Sequence, residues 1–431
     1  MKRGFYTIMA AQFFSSLADN ALLIASIALL AQLEGPAWMT PLLKFFFTAS
    51  YVILAPFVGA FADALPKGRV MFITNTVKIG GCIMMFFYDR LLIPGMPDYL
   101  PVLLAYAVVG LGAAAYSPAK YGILTELLPP SKLVAANGWI EGLTVASIIL
   151  GTVLGGALIS PHVSAVLLSL DFPVFDFGID TPAEAAIIVI AVFYVIAAGF
   201  NLYIPETGAR YARQQTNPVV LATDFWHCFT TLWKDKLGQI SLAVTTLFWG
   251  AGATLQFIVL RWAESNLGLR LDKGAVLQGM TAVGIALGAV LAARFIPLRK
   301  SLSVLPLGIA MGLVVTLMIF ASWMPLVYGL LLLVGGLAGF FVVPMNALLQ
   351  HRGHVLLSAG HSIAVQNFNE NISVLIMLAL YSTMIKTDFH INTIIVCFGM
   401  FVAVTMLGVM QRHKYNQSRT DSLHLIGIDK H

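Results

Sequence analysis

Apolar runs of about twenty residues or more follow one another along this chain of 431 residues, and a helix of roughly that length crosses the ~30 Å of hydrocarbon in a bilayer. In lipid every backbone N–H and C=O must find its partner inside the protein, so only helices and closed barrels can span it. The alternating apolar and polar pattern of a membrane barrel is absent. An all-α membrane protein is therefore the expectation before any motif is read. Composition agrees, with 59% of residues hydrophobic and 10% charged, against about 25% charged in an ordinary soluble domain.

The hydropathy pattern predicts twelve spans, near 5–33, 41–64, 70–89, 100–127, 133–159 and 183–204, then 239–266, 274–296, 302–323, 325–350, 357–385 and 389–411. This divides the chain into an N-terminal six-helix bundle (1–204), a central loop (205–236), a C-terminal six-helix bundle (237–411) and a tail (412–431). In the central loop GARYARQQTNP reads as a polar linker and DFWHCFTTLWK as an amphipathic helix lying on the inner surface. The tail reads as disordered. The connection from Ser160 to Thr181 contains LDFPVFDFGIDTP and reads either as an interfacial flap or as a plain loop. The apolar run that starts at Gly4 is far longer than a signal-peptide core, so it is expected to be retained as the first span.

Orientation follows from the basic residues. Seventeen of the 25 Lys and Arg fall on one side of these spans, among them Lys67, Arg69, Lys132, Arg294, Arg299, Lys300 and Arg352, and five fall on the other. The positive-inside rule then puts both termini in the cytoplasm. Three cations are embedded: Lys78, Lys120 and Arg261. The net charge of +5 reflects this loop bias, so it does not suggest nucleic acid. Three cysteines form no paired framework or CxxC, and no metal or cofactor site is expected.

The two halves echo each other. GLGAAAYSPAKYGIL from Gly110 lines up with GLAGFFVVPMNALLQ from Gly336, setting Pro118 over Pro344 and Lys120 over Asn346. NGWIE ending at Glu141 matches QNFNE ending at Glu370, and SSLADNALL at Ser15 sits against TTLFWGAGA at Thr245. Three matches in one order point to two pseudo-symmetric bundles, as many transporters are built.

Gly59-Ala-Phe-Ala-Asp63, followed by Lys67-Gly68-Arg69, resembles the signature of the major facilitator superfamily, with two residues more between Asp63 and Gly68 than in its usual form. Within it, SLADNALL at 16–23, AAAYSPAKYGIL at 113–124, KLVAANG at 132–138, FFVVPMNALLQ at 340–350 and AVQNFNEN at 364–371 look like the bacterial lysophospholipid transporter family. The resemblance implies the major facilitator fold. It further implies import of lysophospholipids, such as lyso-phosphatidylethanolamine and lyso-phosphatidylglycerol, from the outer to the inner leaflet of the bacterial inner membrane. An acyltransferase/acyl-carrier-protein synthetase would then reacylate them. A monomer among membrane lipids is expected, with no cofactor.

In the superfamily arrangement the first, fourth, seventh and tenth spans line the central cavity. Asp19 and Asn20 would then face the substrate path, and a mid-membrane carboxylate is a functional candidate by default. The competing reading is a protonated aspartate packed between helices. Lys120 offers a point charge to a phosphate, or snorkels toward the cytoplasm; whether it pairs with Asp19 stays open. Tyr116 is one turn away. Trp249, Gln256 and Asn346 form the opposite, largely apolar wall. Gln256 is neutral where the family carries a basic residue, and Arg261, five residues on, reads as a surface pair with Glu264. Lys78 reads as a structural pair.

Asp63 and Arg69 are candidates for a conformational latch. Asn137, Glu141, Gln366, Asn367 and Glu370 are candidates for a lateral gate, or equally for interhelical hydrogen bonds that hold packing. A charged wall facing an apolar one suits an amphiphile with one acyl chain. The rival classes are an enzyme, for which no HExxH stands among the nine histidines, and a proton-coupled multidrug or small-metabolite antiporter of the same superfamily. His351 and His354, on either side of Arg352, are read as lying in a solvated inner loop.

Overall fold

In the computed structural model every residue is described except 1–2, 36–38, 93–94, 96, 129, 170–178, 209–216, 270, 358 and 428–431. The described residues form helices and no strands. In order these are α1 (Arg3–Gln32), α2 (Thr40–Ala64), α3 (Lys67–Phe86), α4 (Leu100–Leu127), α5 (Pro130–Leu158), α6 (Pro161–Ser169), α7 (Pro182–Leu202) and α8 (Pro218–Lys234). The second half adds α9 (Gly238–Leu267), α10 (Leu271–Phe295), α11 (Leu305–Leu317), α12 (Met324–Leu356), α13 (Ala359–Lys386) and α14 (Ile391–Arg419). Among the described residues twelve helices are long and apolar enough to cross a membrane; α6 and α8 are the extra ones, and α11 reaches spanning length with the 3-10 turns at its ends.

The chain separates into two compact units. One comprises Met1–Leu54, Phe61–Ile123 and Ala146–Ala212; the other comprises Ala55–Ala60, Leu124–Val145 and Arg213–His431. Within the first, α7 packs on α1 and α3; within the second, α14 packs on α9 and α11. The sixth span of each half thus touches the first and third of its own half, as the internal repeat requires. Pro118 and Pro344 both lie inside continuous helices, α4 and α12. Each removes one backbone donor, a loss a bundle tolerates when neighbours cover the freed carbonyl.

Glycines set the closest helix approaches. Gly110 of α4 meets the backbone of Phe47 in α2, where an added Cβ would stand 2.6 Å from the Phe47 carbonyl oxygen. The same pair of spans in the second half, α10 and α12, meets along a whole seam. Cβ atoms at Gly284 and Gly288 would collide with the carbonyls of Leu332 and Gly336, and Cβ atoms at Gly335 and Gly339 with those of Thr281 and Ile285. Between lipid-bathed helices there is little hydrophobic drive, so such backbone-to-backbone packing supplies much of the association. Large apolar side chains remain exposed on the outside, including Ile53, Val153, Leu202 and Phe320, as a lipid-facing surface demands.

Two expectations are corrected. The tail is not disordered through 427: α14 continues to Arg419, a 3-10 turn follows at Leu423–Leu425, and Ile426 is buried, with the Gly427 N–H donating to His351 Nε2 at 3.0 Å. Accordingly, His351 and Arg352 stand in the last turns of α12 rather than in a loop. The connection from Ser160 to Thr181 begins with a helix, Pro161–Ser169, and most of the stretch read as a flap or a plain loop lies outside the described residues.

Candidate functional site: charged and polar clusters inside the spans

Gln12, Ser15 and Asp19 follow one another at helical spacing on α1, so they share a face. That face meets α3 and α7. Lys78 Nζ donates to Asp19 Oδ2 at 2.9 Å and to Ser15 Oγ at 3.0 Å; Ser15 in turn donates to Asn75 Oδ1 at 2.8 Å. The Tyr194 hydroxyl donates to the other carboxylate oxygen, Oδ1, at 2.6 Å. Lys78 is 1% exposed, whereas the Asp19 side chain keeps 20% of its surface. The ion pair therefore has a sealed end and an open one. The Lys78 ammonium also lies 5.2 Å from the ring centroid of Tyr116 and 5.5 Å from that of Tyr194, within cation–π range. The Tyr116 hydroxyl and the Asn75 amide nitrogen are buried without a hydrogen-bond partner in the protein.

The partner of Asp19 is thus Lys78, reached from α3 across 59 positions of sequence. The structural pair expected for Lys78 forms, with Asp19 as its partner. Asn20 turns its amide back to the Ser16 carbonyl of its own helix at 2.8 Å. Tyr116 is buried beside Lys78. Lys120, one turn further along α4, is half-buried with its ammonium 4.3 Å from the centroid of the Tyr121 ring. Asp63 pairs with Lys67 at 2.6 Å, both buried, and Lys67 also donates to the Ala62 carbonyl. Arg69 is exposed, so the cation that meets Asp63 is the first residue of the basic turn rather than the third.

In the second unit Gln366 bridges two helices. Its amide nitrogen donates to Asn346 Oδ1 on α12 at 3.2 Å and to Glu370 Oε1, one turn along α13, at 2.7 Å. All three side chains are buried. Asn367 is half-buried on the neighbouring face of α13. Trp249 is half-buried, edge-on to Phe248, and the Gln256 carbonyl accepts from the Gln278 amide at 2.7 Å. Arg261 and Glu264 are both exposed with no ion pair between them, so the expected surface pair does not form. The side chains of Asn137 and Glu141 lie outside the described residues.

Three participants escaped the sequence reading. Tyr194 sits in an unbroken apolar run, IIVIAVFYVIAAG, with nothing beside it to flag its hydroxyl. Trp233 of α8 donates to Asn369 of α13 at 3.1 Å. Asp235, between α8 and α9, takes a two-pronged hydrogen bond from Arg352, with Nη2 at 2.6 Å and Nε at 3.0 Å, and also caps the Gly238 N–H at 2.7 Å. No group of three or more His, Cys, Asp or Glu among the described residues could hold a metal ion.

The Major Facilitator Superfamily profile matches residues 8–378. The lysophospholipid transporter LplT of Yersinia enterocolitica serotype O:8 / biotype 1B is 41% identical over 387 residues, which are 90% of this chain and 88% of that protein. LplT of Yersinia pestis (strain Pestoides F) is 42% identical over the same shares. Among solved structures, a bacterial homologue of the iron transporter ferroportin in an outward-facing state superposes with a TM-score of 0.70, covering 97% of this chain and all of that one. The transporter FucP in the outward conformation gives 0.65, covering 96% and 99%. Both are 15% identical to this chain and speak to the fold alone. With its twelve spans in two alike bundles and relatives this close over nine-tenths of its length, the chain belongs to the LplT family of the Major Facilitator Superfamily.

Proposed function

We propose that the protein carries lysophospholipids, lyso-phosphatidylethanolamine and lyso-phosphatidylglycerol among them, from the outer to the inner leaflet of the bacterial inner membrane. The observation that carries this reading is the identity to LplT proteins along nearly the whole chain. The site chemistry fits it. A half-buried Lys120 offers a point charge to the phosphate that all such lipids share. Asp19 and Asn20, open on one side, offer acceptors to a headgroup ammonium or hydroxyl. On the second unit, Trp249 and the apolar length of α9 suit an acyl chain, with Gln256 and Asn346 as its sparse polar contacts.

Transport proceeds by alternating exposure of the site, with a lateral opening to lipid gated by Gln366, Asn367 and Glu370 on α13 and Asn137 and Glu141 on α5. The buried Asp63–Lys67 pair latches one state, and Arg69 reads the inner surface beside it. Both termini are cytoplasmic, the protein works as a monomer, and the product passes to an acyltransferase/acyl-carrier-protein synthetase. The buried Gln366–Glu370 contact favours one second reading, a proton-coupled antiporter in which Glu370 takes up the proton.

Uptake of labelled lyso-phosphatidylethanolamine into vesicles containing the protein tests the proposal. Wild type is expected to transport, with Asp19→Asn and Lys120→Ala each slowed by about tenfold or more at equal insertion. Well-inserted wild type that moves no lysophospholipid, yet expels cationic drugs against a proton gradient, refutes it in favour of the antiporter.

A further inference from the structure

A lysine inside a spanning helix needs an anion or water beside its ammonium, because the charge is costly in hydrocarbon. Lys67 has Asp63 and Lys78 has Asp19. Lys44 of α2 is half-buried within the span Leu42–Ala64, yet it has no ion pair and no hydrogen bond among the described residues. The charge of Asp19 reaches it, but beyond ion-pair distance, and both Asp19 oxygens are already held by Lys78 and Tyr194. Glu34, just before α2, is exposed and forms no ion pair with it.

The face of α2 that carries Lys44 is turned into the first unit. Phe47 lies 5.3 Å from the ring centroid of Tyr106 on α4 and 6.0 Å from that of Tyr51, and its backbone is the one that meets Gly110. Lys44, Phe47 and Tyr51 recur at helical spacing, so they share that face. Tyr51 is half-buried as well and also feels Asp19. The open apolar surface of α2 is on the other side: Ile53, nine residues from Lys44 and so half a turn around the helix, is 68% exposed. Lys44 therefore lines a partly open recess, and its charge is unmatched there.

Its depth says which anion could match it. Lys44 is four residues from the start of α2 at Thr40, about 6 Å along the axis. Helical side chains lean toward the N-terminus, which brings the ammonium to the headgroup layer, about 5–8 Å thick on each side of the hydrocarbon. The anion that resides in that layer is the lipid phosphodiester. Lys120, twenty residues into α4, stands about 30 Å along its own helix, toward the opposite end of the same unit. We propose that Lys44 is a docking residue for the phosphate of a lysophospholipid, taking it as the lipid leaves its leaflet and before it reaches Asp19 and Lys120. On the orientation given above, this is the outer end. The inference rests on the transport reading.

The test uses full-length protein. For uptake of labelled lyso-phosphatidylethanolamine into liposomes, Lys44→Gln is expected to raise the half-saturating concentration about tenfold, the loss of one hydrogen bond between charged groups. The maximal rate should stay within about twofold, because the change removes capture and not the later steps. Lys44→Arg keeps the cation and should restore half-saturation to within about threefold of wild type. Raising NaCl from about 20 to about 500 mM should weaken wild type toward the Lys44→Gln value and leave that variant little changed. Lys44 has no protein partner to strand, so Lys44→Gln without lipid should melt as wild type does. A second readout needs no transport: in dodecyl maltoside micelles lyso-phosphatidylethanolamine should raise the wild-type melt. Monoacylglycerol, which lacks the phosphate, and glycerophosphoethanolamine, which lacks the chain, should not. Lys44→Gln should need about tenfold more lyso-phosphatidylethanolamine for the same rise.

Unchanged half-saturation in Lys44→Gln, or a fall in maximal rate alone, overturns the inference and leaves Lys44 as an anchor at the membrane boundary. A melt that responds to lyso-phosphatidylethanolamine equally in wild type and Lys44→Gln overturns it too. So does a rise that glycerophosphoethanolamine reproduces, which marks a site for soluble phosphodiesters. Wild type that melts normally but moves no lysophospholipid refutes the transport reading, and the melt series still decides the docking site.

Discussion

Replacing Arg352 by alanine tests how the C-terminal end of α12 is held to the turn between α8 and α9. Arg352 donates to both oxygens of Asp235, and the two side chains are 6% and 13% exposed, so solvent screens the pair little. Removing one partner of a buried ion pair strands the other and costs about 3–5 kcal/mol. Asp235 still accepts the Gly238 N–H after the change and keeps some contact with water, which sets the expectation near the lower end. About 3 kcal/mol corresponds to roughly 150-fold in the unfolding equilibrium. Asp235→Ala loses the same pair and also the hydrogen bond that starts α9, which adds about 1 kcal/mol. Asp235→Asn combined with Arg352→Gln leaves no stranded charge and should recover more than half of the Arg352→Ala loss. Unfolding of purified protein in mixed micelles by dodecyl sulfate, followed by tryptophan fluorescence, gives the order: wild type, double variant, Arg352→Ala, Asp235→Ala. Arg352→Ala within about 1 kcal/mol of wild type, or a double variant no better than Arg352→Ala, would refute the assignment of a stranded charge.

Gly288→Ala should destabilise α10 against α12 by about 1–3 kcal/mol or abolish folding, whereas Gly336→Ala, whose Cβ would meet nothing closer than the Gly284 oxygen at 3.8 Å, should be nearly silent in the same unfolding titration. On α8, outside the spans, burial and then the Asp224 carboxylate push the Cys228 thiol up from its ordinary range. Less thiolate is present at a given pH, so maleimide labelling at pH 8 should run slower than for an unperturbed thiol, climb further as pH rises, and speed up in Asp224→Asn. Ile426→Asp should free the tail: losing that burial removes about 2 kcal/mol, and trypsin should cut at Arg419 faster than in wild type.

How far the sequence carried the reading depends on the range of the interaction. Spanning helices are local matters of length and polarity, so α1, α4 and α9 fall within a few residues of the predicted limits. The α7 start at Pro182 is likewise local, since Thr181 and Glu184 form a capping box. Asp19 and Lys120 could be singled out because a charge at mid-membrane depth is rare in itself. Their partners could not. Lys78 reaches Asp19, and Arg352 reaches Asp235, only after helices far apart in sequence are packed together. Two signals were present but unread. Gln12, Ser15 and Asp19 at helical spacing mark a polar face on α1, and the apolar run LHLI at 423–426 marks a segment of the tail whose Ile426 packs. GxxxG spacings at Gly284/Gly288 and Gly335/Gly339 foreshadow the tight seam, but not which helix each meets.

That seam has a mechanical consequence. Helices that touch through long side chains can slide by changing rotamers, which act as a soft layer. Between α10 and α12 there is no such layer, because carbonyl oxygens stand where side chains would be. The two helices behave as one stiff beam up to Gly339. Pro344, five residues beyond, removes a backbone hydrogen bond just past the clamped stretch. Bending of α12 is therefore expected at Pro344 rather than along the clamped stretch, where it would move the C-terminal end that carries Asn346 and Arg352.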